Sequence, residues 1–241
     1  MLRWQWACGA LLVATQTLPA QPVPGLLLER AIKVAGGAKA LQQIARIAWE
    51  GEAVVHAGGR SVTITGVWQL SLPDSALVVT RRVGAPELEN RTMQLSGESG
   101  RLADIGSTKP MPPALLASER DAFWAYELMR LVPLRDSTFS LRLVPGDSVE
   151  WKAIEVTSPG RPTAEMQFDE RAQLRSITMN VHDEAGQGVH RQLFILRGVQ
   201  RVTTSDGDAR WFETLEILKD GAPFFTLTAR NVRLAPPKPQ P

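Results

Sequence analysis

The stretch Ile47–Leu70, IAWEGEAVVHAGGRSVTITGVWQL, decides the fold. On both sides of Gly58-Gly59 it alternates apolar and polar residues with period two, the signature of half-buried strands. A two-residue type I′ turn requires positive φ at both central positions, which paired glycines supply without steric cost. Counting outward from that turn sets Val55 opposite Val62, Ala53 opposite Ile64, Gly51 opposite Gly66, Trp49 opposite Trp68 and Ile47 opposite Leu70, all on one face. The other face receives His56, Glu52, Glu50, Ser61, Thr63, Thr65 and Gln69. A slip of one residue would invert this sorting, so turn chemistry and burial pattern specify the same register.

Strand-like runs continue at 76–83, 91–96, 100–105, 139–144, 149–157 and 163–168. A second hairpin centred on Gly186 would set Met179 opposite Leu193 and Ile177 opposite Ile195, leaving His182, Asn180 and Gln192 on a polar face. A third, at Asp220-Gly221, would pair Ile217 with Phe224 and Leu215 with Thr226. The total is about eleven or twelve strands with the short turn spacing of an antiparallel meander. No unit of 20–50 residues repeats, which speaks against a propeller or solenoid.

Helical composition is confined to three places. Leu26–Ala35 is stopped by Gly36-Gly37, and Ala38–Ala45 restarts a short helix. Pro112-Pro113 opens a longer run to Leu131, closed by Pro133. Wrapped as a helix, its Leu115, Leu116, Phe123, Trp124, Tyr126, Leu128, Met129 and Leu131 occupy most of the circumference, so other structure must enclose it.

Composition fits a folded globular chain: 241 residues, 44% hydrophobic and 22% charged, a length that admits one all-β domain or two small ones. The 27 basic and 25 acidic residues are scattered and sum to +2, with no basic stripe for nucleic acid. A lone cysteine, Cys8, excludes a disulfide framework and any cysteine-rich zinc site. There is no Gly-x-Ser-x-Gly elbow, Walker loop, His-Glu-x-x-His or dinucleotide glycine fingerprint, so neither an enzyme nor a bound cofactor is expected. His182, Asp183, Glu184 and His190 form the best candidate metal constellation, because the Gly186 hairpin would bring the imidazoles opposite one another. Solvated side chains at a hairpin end are the expected reading there, as for Glu50 and Glu52 on one strand face. Gly51 and Gly66 make a dip beside Trp49 and Trp68, which either receives a neighbouring side chain or forms the wall of a ligand cavity.

Residues 1–20 read as an export signal: Arg3 gives the positive start, Ala7–Thr17 the apolar run, and Leu18-Pro19-Ala20 a small residue at the cleavage point. The run is too short to span a bilayer. Its removal leaves 26 basic and 25 acidic residues, a net charge of +1, so attraction to anionic membranes should be weak. Residues 235–241 form a proline-rich tail.

The export signal, the lead with Ala35-Gly36-Gly37-Ala38, the long first hairpin ending in Leu72-Pro73-Asp74, the mid-chain helix and the closing run of strands together resemble the LolA/LolB/LppX-like superfamily. The likeness covers Leu26–Leu234. It implies a single domain over residues 21–234, mainly β, an open antiparallel half-barrel with helices plugging its concave apolar face. It also implies a periplasmic or secreted location and an apolar ligand, either a lipid, an acyl chain or the acyl group of a lipoprotein. The expected lining is Trp49, Trp68, Val55 and Ile64 from the sheet, with Phe123, Trp124 and Met129 on a lid helix. Lipoproteins or envelope proteins would be the macromolecular partners of an otherwise monomeric chain; the alternatives are a structural or assembly protein with a filled interior and, behind it, an enzyme on the same scaffold using residues around His182 and His190. Export predicts cleavage near Ala20, and N-terminal sequencing of the mature protein tests it, a start at Met1 being the contrary result.

Overall fold

A computed structural model describes residues 23–235, so the export segment 1–20 and the tail beyond Ala235 lie outside the described residues. Two helices lead the described residues, α1 (Pro24–Val34) and α2 (Ala38–Gln43). Proline at the start of α1 presets its first turn, and Leu28, Ala31 and Ile32, spaced three and four apart, form its buried stripe. Gly36 follows with φ 119°; a Cβ there would run into the carbonyl oxygen of Asp208, so the close approach of a later hairpin requires glycine.

The first meander then runs outward from the middle of the sheet: β1 (Arg46–Ala57), β2 (Arg60–Ser71), β3 (Ser75–Arg82), β4 (Arg91–Ser96), β5 (Ser99–Asp104) and β6 (Ser107–Pro110). Helix α3 (Pro113–Met129) carries the chain across to the opposite edge. The second meander returns inward through β7 (Ser140–Pro145), β8 (Lys152–Thr157), β9 (Ala164–Phe168), β10 (Leu174–His182) and β11 (Val189–Arg197). After a separate hairpin of β12 (Gln200–Thr204) and β13 (Gly207–Trp211), β14 (Thr214–Lys219) and β15 (Ala222–Leu234) complete it. The large sheet has thirteen antiparallel strands in the order β6-β5-β4-β3-β2-β1-β15-β14-β11-β10-β9-β8-β7, and its edges β6 and β7 do not pair. The result is an open half-barrel, with α3 bridging its two edges. Among the described residues no helix is long and apolar enough to cross a membrane.

The strand count exceeds the sequence-based one by three strands. Four-residue β6 is exposed throughout, and β12 and β13 are five residues each, too short for alternation to stand out. The run expected from 149 begins instead at Lys152, leaving Val149 96% exposed.

The first hairpin has the register read from its sequence, Val55↔Val62 through Ile47↔Leu70, around Gly58 (φ 57°) and Gly59 (φ 74°). The other two are corrected by one residue. Loop Asp183–Gly188 has six residues, closed by Asp183 N donating to the Gly188 carbonyl at 2.9 Å, and it pairs Met179 with Gln192 and Ile177 with Phe194. His190 therefore faces Val181 while His182 faces Val189, so the imidazoles point to opposite sides of the sheet. At the third turn the expected pairing survives only beside the loop, at Lys219↔Ala222 and Leu218↔Pro223. An irregularity then advances β15 by one residue, giving Ile217↔Phe225 and Leu215↔Leu227.

Trp49 is the centre of the core. It is fully buried and stacks on Trp68 with centroids 6.4 Å apart. Tyr126 of α3 meets it at 5.8 Å, and Trp211 and Phe212 at 6.1 and 5.8 Å. Sheet, crossing helix and small hairpin thus converge on one indole, with centroid spacings in the range where aromatic pairs attract. The dip at Gly51 and Gly66 is filled by neighbours: a Cβ at Gly51 would lie 2.7 Å from Leu227 Cδ1, and one at Gly66 would strike the Val79 carbonyl.

Gly58→Val with Gly59→Val is expected to lower stability by about 2–4 kcal/mol, since each residue would be held left-handed at ~1–2 kcal/mol. No atom lies within 4 Å of a Cβ at either position, so the loss measures backbone conformation alone. Urea denaturation reads it; an unchanged midpoint would show that the turn does not set the register.

Candidate ligand-binding site

Between α3 and the sheet lies a trough of about 680 Å³, within the size range of small-molecule sites. Ile64 and Trp68 of β2 and Val78 of β3 form its floor, Met93 and Leu102 one wing, and Phe194 and Ile217 the other. The irregularity in β15 lets two consecutive residues, Phe224 and Phe225, both reach it, which strict alternation would forbid. From above, α3 contributes Leu115, Ala122, Phe123 and Tyr126.

Three of the residues expected from sequence, Trp68, Ile64 and Phe123, are therefore brought together around one cavity. Trp49 stands behind Trp68 and supports it. Val55 lies farther along β1, half-buried opposite Val62 and Phe225. Trp124 points toward the other wing, stacked on Phe139 at 5.8 Å with the Arg161 guanidinium 5.3 Å from its ring centre. Met129, at the end of α3, borders a separate void of about 60 Å³ beside Ala31 and Trp211. A helix apolar around its circumference thus serves two packing surfaces, and the larger open volume lies under the one that faces the trough.

The two halves of α3 are held differently. From Trp124 to Met129 every residue is buried, and the helix ends where Leu131 adopts φ 62° before Pro133. The N-terminal half is mostly half-buried and rests over the trough. Its polar ties are few: Arg120 lies 3.6 Å from Glu98, and Asp121 accepts from the His182 backbone N–H at 3.0 Å while its Oδ2 is 2.6 Å from the His182 ring Nδ1.

The candidate metal constellation is divided by these contacts. His182 is engaged by Asp121, leaving Asp183, Glu184 and His190 with ligand atoms within 4.8 Å of one another. Lys219 Nζ, however, lies 3.2 Å from Asp183 Oδ2 and 3.0 Å from Glu184 Oε2. A cation of the chain itself already sits on both carboxylates. The backbone N–H of Ala185 and the Lys219 ammonium hold Asp183 below the usual carboxylate range. Burial first, and Lys219 second, lower the His190 pKa, so its imidazole is neutral at pH 7.

Sequence reasoning missed Glu119. It lines the trough on α3, and burial together with the charge of Glu184 pushes its carboxyl up to about 7. The same burial, with Glu119 nearby, raises the Tyr126 hydroxyl above its ordinary value. A glutamate at an inward position of an otherwise apolar helix face was the available signal, obscured because that helix reads as apolar on every side.

No protein-family model matches the chain, and no curated protein does. Solved structures do. A LolA superfamily protein, NE2245 from Nitrosomonas europaea, superposes with TM-score 0.56 at 10% identity, covering 89% of this chain and 94% of that one. A putative outer membrane lipoprotein-sorting protein domain from Vibrio parahaemolyticus gives 0.55 at 12% identity, over 90% and 96%. A DUF1329 family protein from Desulfovibrio piger gives 0.53 at 9% identity, over 87% and 92%. Likeness over nearly the whole of both chains at such low identity establishes architecture: this chain has the fold of the LolA superfamily protein and of the lipoprotein-sorting domain.

Proposed function

We propose that the protein is an envelope-associated binding module that holds a lipid or acyl chain in the trough beneath α3. The observation that carries this reading is the 680 Å³ cavity itself, left open between an aromatic-rich sheet and a helix whose outer half is lightly held. Each methylene moved from water into such surroundings gains about 0.8 kcal/mol, so a chain of moderate length binds without any special polar group. Location in the periplasm or outside the cell follows from the export signal read in residues 1–20. The two similar structures described as a LolA superfamily protein and a lipoprotein-sorting domain point the same way, and envelope lipoproteins are the natural macromolecular partners of a monomeric carrier.

A second reading, an assembly protein with a filled interior, is favoured by one feature. At Gly51 the sheet is closed by Leu227, whose Cδ1 would lie 2.7 Å from a Cβ there, so only part of the concave face is open.

Lipid extraction of protein purified from its host under mild conditions distinguishes the two, the carrier reading expecting a defined lipid at near-stoichiometric amount. Hydrogen exchange supplies the mechanism. Amides of residues 114–122 should exchange faster than those of β1 and β2, and slow by about fivefold or more with monooleoylglycerol. Ala122→Trp, which places an indole in the trough beneath α3, should weaken that slowing. Exchange in 114–122 as slow as in the central strands, with or without the lipid, would favour the filled interior.

A further inference from the structure

The trough is not apolar throughout. At the corner where α3 meets the β10–β11 loop, three side chains bearing hydrogen-bond acceptors line it: Glu119 from the helix, Glu184 from the loop and Gln192 from β11. Helix and loop touch there, since a Cβ at Gly186 would lie 3.4 Å from Ala114 Cβ.

Gln192 is only 4% exposed, and its carbonyl oxygen has no hydrogen-bond partner. Its environment fixes which end of the amide is free. Asp183, kept ionised by the Ala185 N–H and Lys219, lies 3.9 Å from His190 Nδ1, too far for a hydrogen bond, so that nitrogen has no direct partner; the carboxylate's negative charge still favours the tautomer with the proton there. His190 Nε2 is then an acceptor, and it receives the Gln192 amide N–H at 2.8 Å. The amide nitrogen is used and the carbonyl oxygen remains, a buried acceptor without a donor. Glu119, half-buried, is engaged by no hydrogen bond or ion pair among the described residues, and Lys219, shared between Asp183 and Glu184, leaves one negative charge of that pair uncompensated.

We propose that this corner is a subsite for the protonated amino group of an amphiphile whose chain lies along the apolar floor. The inference rests on the apolar-ligand reading above and names the ligand's head. An ammonium offers three N–H donors, one for each acceptor, and its charge suits a corner with surplus negative charge. A carboxylate brings only further acceptors against Glu184, and a hydroxyl has a single donor to give.

The other charged groups near Glu119 are engaged or remote. On α3, Arg120 turns to Glu98 and Asp121 to His182, while Tyr126 is raised above its ordinary value and stays neutral. Arg91, Asp104 and Lys109 line the trough from β4, β5 and β6, on the opposite wing. The corner consequently has a predictable proton linkage. With its carboxyl near 7, Glu119 is largely protonated in acid and charged above neutrality, whereas an alkylammonium keeps its proton throughout. Affinity for the amine must rise from pH 5.5 to 8.5 as the Glu119 proton leaves.

Titration of the full chain at pH 8 with dodecylamine, 1-dodecanol and dodecanoate, each below its solubility or micellar limit, tests this. Dodecylamine is expected to bind about tenfold tighter than dodecanol, with dodecanoate weakest, the scale of one charge-assisted contact. Its advantage should shrink about fivefold or more at pH 5.5. Glu119→Gln should remove that pH dependence, and Gln192→Leu should bring dodecylamine within about threefold of dodecanol, with dodecanol binding by each variant confirming an intact trough. If dodecanol binds but the amine shows no preference, or dodecanoate binds best, the subsite is overturned and the apolar trough stands. If none of the three saturates, the carrier reading fails and the subsite with it.

Discussion

In this sheet the first and last strands pair with each other in the middle. Because β1 lies between β2 and β15, the two meanders grow outward from a common centre, and their far edges, β6 and β7, are consecutive in the chain. The connection between them must cross the whole sheet. Helix α3 makes that crossing with seventeen residues, about 25 Å at the helical rise. Most antiparallel neighbours need only short turns, so this crossing and the β11–β14 connection, which carries the β12–β13 hairpin, are long enough to cover the concave face.

Covering is not the same as filling. The Trp49 cluster anchors the C-terminal half of α3 and the β12–β13 hairpin over the centre of the sheet, and glycines at 51 and 66 admit Leu227 and the backbone of β3 there. Toward β3–β5 the sheet offers aliphatic side chains, Val78, Met93 and Leu102, and the lighter N-terminal half of α3 spans the space. Firm attachment at one end and open volume at the other allow part of a helix to move while the domain stays folded.

The polar corner is built from three elements far apart in sequence, α3, the β10–β11 loop and β11. Its acceptors are ordered through Lys219, Asp183 and His190, so the residues that first suggest a metal site act here as supports for Gln192. Such networks fix side-chain orientation in a low-dielectric setting, where an unpartnered acceptor is also most costly.

Local chemistry determined much of this protein. Gly58-Gly59 and the alternation around it specify the β1–β2 register, because a one-residue slip would expose Trp49 and Trp68. The prolines at 112, 113 and 133 bound the crossing helix for reasons contained in single residues. Of the trough, Trp68, Ile64 and Phe123 were legible, as large apolar groups on faces the pattern assigns inward. Tertiary structure alone decided the rest. A loop of six residues instead of an odd number turned His190 inward and His182 away, and an irregularity in β15 directed both Phe224 and Phe225 to the cavity. Which side of α3 faces open space, and that Glu119 meets Glu184 there, depends on where the far edge of the sheet places the helix. Periodicity records that a residue is buried, but the partner that buries it is fixed only by the long-range pairing of β1 with β15.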